Sequence, residues 1–190
     1  MEPVTLTTDR LLLDAFVPED AEAVYASCQD PEIQRWTTVP SPYGRNDAEY
    51  FLNGMVPDGW RNDTEYSFAV RLRPGDRPVA AIGLHHPSSG TWEIGFWMDK
   101  EHRGRGYMTE AVLGLARWAF TTLGCTRLEW RAEVGNTPSR AVVEKAGFTV
   151  EGVLRAGIAN KGTLRDCWVG ALLPSDLGLP SPLPYLPART

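Results

Sequence analysis

The stretch Arg103-Gly104-Arg105-Gly106-Tyr107-Met108 constrains the fold more than any other, because of what stands on either side of it. Before it runs an apolar, strand-like segment, Trp92-Glu93-Ile94-Gly95-Phe96-Trp97-Met98; after it Met108, Val112, Leu115, Ala119 and Leu123 recur at helical spacing. Strand, basic glycine loop and helix in that order aim consecutive backbone N–H groups into one concavity at a helix N-terminus. There the macrodipole is positive and a phosphate or pyrophosphate can sit. Gly104 and Gly106 remove the Cβ atoms that would block the approach, and Arg103 and Arg105 add charge.

Spacing separates the phosphate loops this could be. A P-loop needs Gly-Lys-Ser/Thr behind its glycines, and none follows. A dinucleotide fingerprint needs a third glycine at position 109, which is Thr109, and an acidic residue about twenty positions on at a strand end. Glu129 has the distance but lies inside a strand-like run. Arg103-x-x-Gly106-x-Met108 resembles the Gln/Arg-x-x-Gly-x-Gly/Ala motif with which the GCN5-related N-acetyltransferase (GNAT) superfamily binds the pyrophosphate of acetyl-CoA. Met108 departs from the small residue usual at the sixth position. The resemblance implies coenzyme contacts from Arg103, Gly104, Arg105, Gly106, Tyr107, Met108 and Thr109, and from Phe96, Trp97 and Met98 at the end of the preceding strand.

A chain of 190 residues with 43% hydrophobic content can bury a full core in one domain. Its formal net charge of −5 argues against nucleic acid or an anionic membrane as partner and suits a cationic acceptor such as an amine. Cys28, Cys125 and Cys167 are odd in number and far apart, which is neither a disulfide framework nor a zinc spacing, and they read as buried thiols. No metal is expected, since neighbouring His85 and His86 on a strand point to opposite faces. The N-terminus lacks a basic stretch followed by an apolar one, and no apolar run reaches the length of a membrane span, so a cytoplasmic protein is expected.

Along the chain, residues 8–16 read as a first strand and 18–28 as a helix opened by Pro18 and ended near Asp30-Pro31. Turn formers dominate 31–46, and a helix over 47–55 follows. Strands at 66–71, 78–84 and 92–98, joined through Arg73-Pro74-Gly75-Asp76 and Pro87-Ser88-Ser89-Gly90, make an antiparallel meander rather than the parallel opening of a Rossmann domain. After a helix over 107–122, Leu128, Trp130, Ala132 and Val134 alternate with Arg127, Glu129, Arg131 and Glu133. Asn136 and Pro138 open another helix, closed near Gly147. Strands at 148–154 and 165–173 complete the sheet, and the proline-rich tail 174–190 reads as an extended surface segment.

Two further stretches carry the resemblance. Thr8-x-Arg10-Leu11-x-Leu13 and Asn136-x-x-Ser139-x-x-Val142-x-x-Lys145-x-Gly147-Phe148, followed by Glu151-Gly152, are similar to signatures of the Rim-type branch of the superfamily. Over residues 8–173 the resemblance implies an α/β (α+β) GNAT fold, with a mixed, mostly antiparallel sheet of about seven strands flanked by about four helices. It implies an enzyme moving acetyl from acetyl-CoA to a primary amine, either a protein N-terminus or a small molecule.

Glu93 shares a strand face with Gly95 and Trp97, apart from the larger apolar face, and the resemblance makes it the candidate general base. A main-chain N–H near Met98 would meet the oxyanion. Asn136 and Ser139 would bond the pantetheine arm, and Ser139 or water would protonate the leaving sulfur, since the tyrosine of many relatives is Val143 here. Trp36, Tyr43 and Trp60 are candidates to touch the acceptor, or else cover the sheet. His85 or His86 is the alternative base. Two other readings stand beside the enzyme: a catalytically weak acyl-CoA-binding module, prompted by Val143 and Met108, and a different nucleotide-binding α/β domain. A homodimer through the sheet edge or the tail is compatible with the sequence.

Overall fold

The computed structural model of the chain describes residues 1–88 and 90–188, apart from the side chains of His86 and Pro87. Ser89 of the expected turn and the imidazole of His86 therefore lie outside the described residues. Eight strands among the rest form one sheet: β1 (Leu6–Thr7), β2 (Leu11–Asp14), β3 (Glu65–Leu72), β4 (Pro78–Ser88), β5 (Thr91–Met98), β6 (Arg127–Glu133), β7 (Thr149–Asn160) and β8 (Thr163–Leu172). Their spatial order is β1-β2-β3-β4-β5-β6-β8-β7. Every neighbouring pair is antiparallel except β5 and β6. The first strand expected over 8–16 is the shorter β2, and β1 precedes it across a turn in which Thr8 N donates to Leu11 O at 3.0 Å.

The helices are α1 (Ala21–Ser27), α2 (Pro31–Trp36), α3 (Arg45–Tyr50), α4 (Val56–Asn62), α5 (Tyr107–Thr122) and α6 (Thr137–Lys145). α1 ends before Asp30-Pro31, as expected, and the same pair begins α2. The Asp30 carboxylate accepts from Glu32 N, and Pro31 occupies the first turn of α2. The helix expected over 47–55 is longer, with α3 running through a π-helical segment, Phe51–Met55, into α4, which Asp63 ends in a left-handed conformation at φ 54°. β7 and β8 are also longer than the sequence suggests. Their hairpin turns at Lys161 and Gly162, whose φ values are 49° and 73°.

The 16-residue α5 buries Ala111, Val112, Leu115, Ala116 and Ala119 with no exposed surface. Each larger aliphatic side chain hidden this way contributes about 1.5–3 kcal/mol. Trp60 of α4 and Trp118 of α5 meet Tyr66 and Phe68 of β3 in an aromatic cluster, with ring centroids 4.8–6.2 Å apart. Arg71 of β3 is buried and joins Asp14 at the end of β2 to Asp20 at the start of α1, both at 2.8 Å. The three cysteines are buried and free, and burial lifts the Cys28 thiol to about 12 and the Cys125 thiol to about 11. No helix among the described residues is long and apolar enough to cross a membrane.

Candidate active site

The glycine loop has the shape its sequence asks for. Gly104 and Gly106 adopt φ values of 76° and 78°, and Gly106 is the N-cap of α5. Nothing lies within 4 Å of a Cβ placed on Gly104, and one on Gly106 would come 3.5 Å from Arg10 Nη2. The N–H groups of Tyr107, Met108 and Thr109 occupy the first helical turn, where no intrahelical carbonyl can receive them; Glu110 N already reaches Gly106 O at 3.1 Å. These donors at the start of a 16-residue helix, unpaired among the described residues and beside the open face of Gly104, fit a pyrophosphate.

Arg10, which the sequence offered only as part of the Thr-x-Arg resemblance, holds this loop. Glu110 accepts from Thr8 Oγ1 at 2.6 Å, Arg10 N at 2.8 Å and Arg10 Nε at 2.6 Å, while Arg10 Nη1 donates to Arg105 O at 3.1 Å. The Arg10 guanidinium also lies 4.6 Å from the centre of the Tyr107 ring. Arg103 is turned inward, its Nε donating to Met98 O at 2.9 Å and its Nη2 pairing with Asp30 at 2.7 Å, so it braces the loop against β5 and α2. Arg105 is the exposed cation. Met108 has its side chain in the core, 5% exposed, so the unusual residue at the sixth position does not crowd the concavity.

Beside the loop the sheet opens. β5 and β6 pair only from Thr91↔Arg127 to Ile94↔Trp130, although β5 runs on to Met98 and β6 to Glu133. The two strands separate beyond that point, leaving the β6-facing edge of residues 95–98 without a strand partner among the described residues. Phe96 and Trp97 are half-buried there, and Met98 is buried.

One face of the sheet carries a row of ionisable side chains set by register: Glu65↔His85↔Glu93↔Glu129, one from each of β3, β4, β5 and β6. The adjoining row is Ser67↔Gly83↔Gly95, which leaves a trough floored by two glycines. A Cβ on Gly83 would stand 3.1 Å from Ser67 Oγ, and one on Gly95 3.4 Å from His85 Nε2. His85 Nδ1 meets Glu65 Oε2 at 3.4 Å, and Ser67 Oγ donates to Glu65 Oε1 at 2.7 Å.

The charges in this trough adjust one another. Burial pushes the Glu93 carboxyl above the ordinary value, against the opposing pull of Arg131 and His85. The hydrogen bond with Glu65 raises the His85 imidazole. Burial disfavours the Glu65 carboxylate, but its bonds to His85 and Ser67 outweigh that and hold it below the usual range. Arg131 Nη2 donates to Glu129 at 3.1 Å, while its Nε, 3.6 Å from Glu93 Oε2, is buried with no hydrogen-bond partner among the described residues.

The glycine loop at the N-terminus of α5 thus stands beside splayed parallel strands. The acetyltransferase (GNAT) domain family matches residues 10–149. The chain belongs to the GNAT acetyltransferases. The uncharacterized N-acetyltransferase p20 of Bacillus licheniformis is 30% identical over 175 residues, 89% of this chain and 96% of that protein. The ribosomal-protein-serine acetyltransferase of Escherichia coli is 32% identical over 77 residues, 40% of this chain and 43% of its own. Among solved structures, Mycobacterium smegmatis RimJ in complex with CoA-disulfide superposes with a TM-score of 0.80 at 22% identity, covering 94% of this chain and 92% of that one. The fold is that of the GNAT enzymes, as the resemblance implied.

Other residues singled out in the sequence fall into two groups. Asn136 caps α6, accepting from Ser139 N at 3.3 Å, and its amide NH₂ makes no hydrogen bond among the described residues. Ser139 Oγ accepts from Trp130 Nε1 at 3.0 Å and keeps its own O–H. Val143 is fully buried and has no proton to give. Trp36 stays at the surface, its Nε1 bonded to Glu32 at 2.9 Å and its ring tip 3.5 Å from where a Gly135 Cβ would be. Trp60 and Tyr43, candidates either to touch the acceptor or to cover the sheet, are 2% and 7% exposed. Trp60 donates to Ser67 O at 3.1 Å inside the aromatic cluster and Tyr43 packs on Cys28, because rings of this size are worth more in the core than on a rim.

Proposed function

We propose that this GNAT N-acetyltransferase moves the acetyl group of acetyl-CoA to a primary amine lying in the Gly83–Gly95 trough, with Glu93 as general base. The observation that carries the reading is the trough itself: two facing glycines clear the sheet surface beside a carboxyl that burial has made more basic. The catalytic domain expected over residues 8–173 takes in β1 at Leu6–Thr7 as well, and the start of the expected tail folds back on it, with Pro174 buried and Leu177 and Leu179 packed against the core.

The residues fit the coenzyme. The N–H groups of Tyr107, Met108 and Thr109 and the open face of Gly104 would receive the pyrophosphate, Arg105 would add charge, and the free amide of Asn136 would bond the pantetheine arm. Bound there, acetyl-CoA supplies an acetyl group activated as a thioester.

The protein must then supply a neutral amine. An α-amino group titrates near 8 and a lysine near 10.4, so about neutral pH most acceptors arrive protonated and acid-walled trough residues attract them. Glu93 removes that proton directly or through water. The neutral amine would then take the acetyl group from sulfur, its second proton passing to Ser139 as that hydroxyl protonates the leaving sulfur, or to water where sulfur leaves as thiolate. A main-chain N–H on the unpaired edge of β5 near Met98 would stabilise the oxyanion by about 3 kcal/mol.

A relative named as a ribosomal-protein-serine acetyltransferase favours a protein over a small-molecule acceptor, and a ribosomal acceptor would place the reaction in the cytoplasm. The test is thiol release and product mass across a panel of peptide and small-molecule amines. Binding of acetyl-CoA without release for any acceptor would leave a binding module instead. A second reading has its own support: His85, with Nδ1 on Glu65 and Nε2 leaning over Gly95, is built like an oriented base. Glu93→Gln losing turnover mainly at low pH, with His85→Gln mildly affected, keeps Glu93 in the role.

A further inference from the structure

The same face of β6 that carries Glu129 and Arg131 ends at Glu133, and there a cleft of about 280 Å³ opens between α2 and the β7–β8 hairpin. Its charge is opposite to that of the chain. Arg35, Lys161 and Arg165 line it against one carboxylate, Glu133, in a protein whose formal net charge is −5.

The cations are fixed in place. Arg35 grips Glu133 with both terminal nitrogens, at 2.7 and 2.6 Å, and lies 4.2 Å over the Trp36 ring. Lys161 crosses from the hairpin to the end of α2 and donates to Gln34 O at 2.6 Å and Thr37 O at 2.9 Å. Arg165 touches Glu133 only at 3.8 Å, and its side chain is 42% exposed. Glu133 is thus answered by Arg35, and the charges of Lys161 and Arg165 are left over. Burial, and then the charge of Arg35, depress Lys161 below the ordinary lysine value, as expected where positive charge lacks a counter-ion.

The distance from the trough gives the length of the ligand. Glu93 is level with Glu129, and Glu133 stands four positions further along β6. At strand spacing that is about 13 Å, the reach of an extended peptide from its α-amine to its third or fourth side chain. Resting on the acetyltransferase reading, we propose that the acceptor is a protein N-terminus whose third or fourth residue is acidic, its carboxylate bound by Arg165 and the outer N–H groups of Arg35. The acidic trough draws the amine and the basic cleft draws the carboxylate, so the peptide enters in one direction only.

Synthetic peptides carrying Glu, Gln or Lys at position three or four test this by N-terminal acetylation, read as kcat/KM. Glu is expected to exceed Lys by about tenfold or more at low salt, with the gap narrowing at high salt. Arg165→Glu, at a half-exposed residue making no hydrogen bond among the described residues, should reverse the order, and Arg165→Lys should keep it. Equal rates for all peptides overturn the anion site and leave the acetyltransferase standing. Acetylation of small amines but of no peptide overturns the peptide acceptor. Thiol release with no amine at all removes both this proposal and the one it rests on.

Discussion

Gly95 leaves open the space into which His85 leans, since a Cβ there would lie 3.4 Å from the ring Nε2. An alanine could just be accommodated, but the two methyls of valine would fill the trough and turn the imidazole away. Gly95→Val should therefore lower kcat/KM by about tenfold or more, about 1.4 kcal/mol of transition-state stabilisation, while acetyl-CoA affinity stays within about twofold. Calorimetric titration beside steady-state kinetics separates the two. Full activity in the variant would mean the acceptor does not use this trough.

Glu65 controls the charge on His85, so Glu65→Gln should change the pH profile in a way that tells which group accepts the proton. His85 is raised by Glu65 and faces Glu93 from the other side. Without Glu65 its pKa falls. If Glu93 is the base, the acid limb of kcat/KM stays within about 0.3 unit or rises slightly, because a less protonated His85 stabilises the Glu93 carboxylate less. A limb that moves down by about 0.5 unit or more would transfer the role to His85. Stability has its own sign. A histidine raised on folding stabilises fully below its unfolded value of about 6.5 and loses that contribution as pH rises through the folded value. The melting-temperature gap between wild type and Glu65→Gln should accordingly be larger at pH 5.5 than at pH 9.

On the proposed reading, Arg10 acts on the coenzyme through the loop. Its Nη1 holds Arg105 O, and its Nε and N share the Glu110 carboxylate with Thr8. Arg10→Ala should weaken acetyl-CoA binding by roughly fivefold, since the donors at residues 104–109 must then be ordered by the ligand itself. Gly106→Val should be more severe, because valine must adopt φ near 78° in the middle of the loop. Retained affinity in both variants would detach this loop from coenzyme binding.

The half of the domain from β5 to α6 was legible because its punctuation is local. Gly106 opens α5 at the expected residue, Asn136 caps α6, and Leu128, Trp130 and Ala132 alternate with charged residues along β6. Residues 31–62 were less legible. Asp30-Pro31 can stop one helix or start the next with the same chemistry, and Gly54 and Pro57 lie inside a helical run that packing sustains. The Glu65, His85 and Glu93 row depends on register between three strands, which periodicity within each strand does not encode. The Arg35–Glu133 cleft unites residues 98 positions apart, and nothing near either one announces it.

Trp60 shows what burial does to an aromatic that composition alone would place at a binding rim. Its ring sits 4.8 Å from Tyr66, 5.1 Å from Phe68 and 6.2 Å from Trp118, and its Nε1 donates to Ser67 O at 3.1 Å. Trp60→Leu would leave a hole among those rings and an unpaired carbonyl on β3, costing about 2–4 kcal/mol. In a chain of this length that is a fall in Tm of roughly 5–12 °C, measurable by circular dichroism. Ser67 borders the trough, yet Trp60 reaches it only through the backbone carbonyl, so acceptor KM measured well below the new Tm should be unchanged. A raised KM with an unaltered Tm would return Trp60 to the acceptor wall.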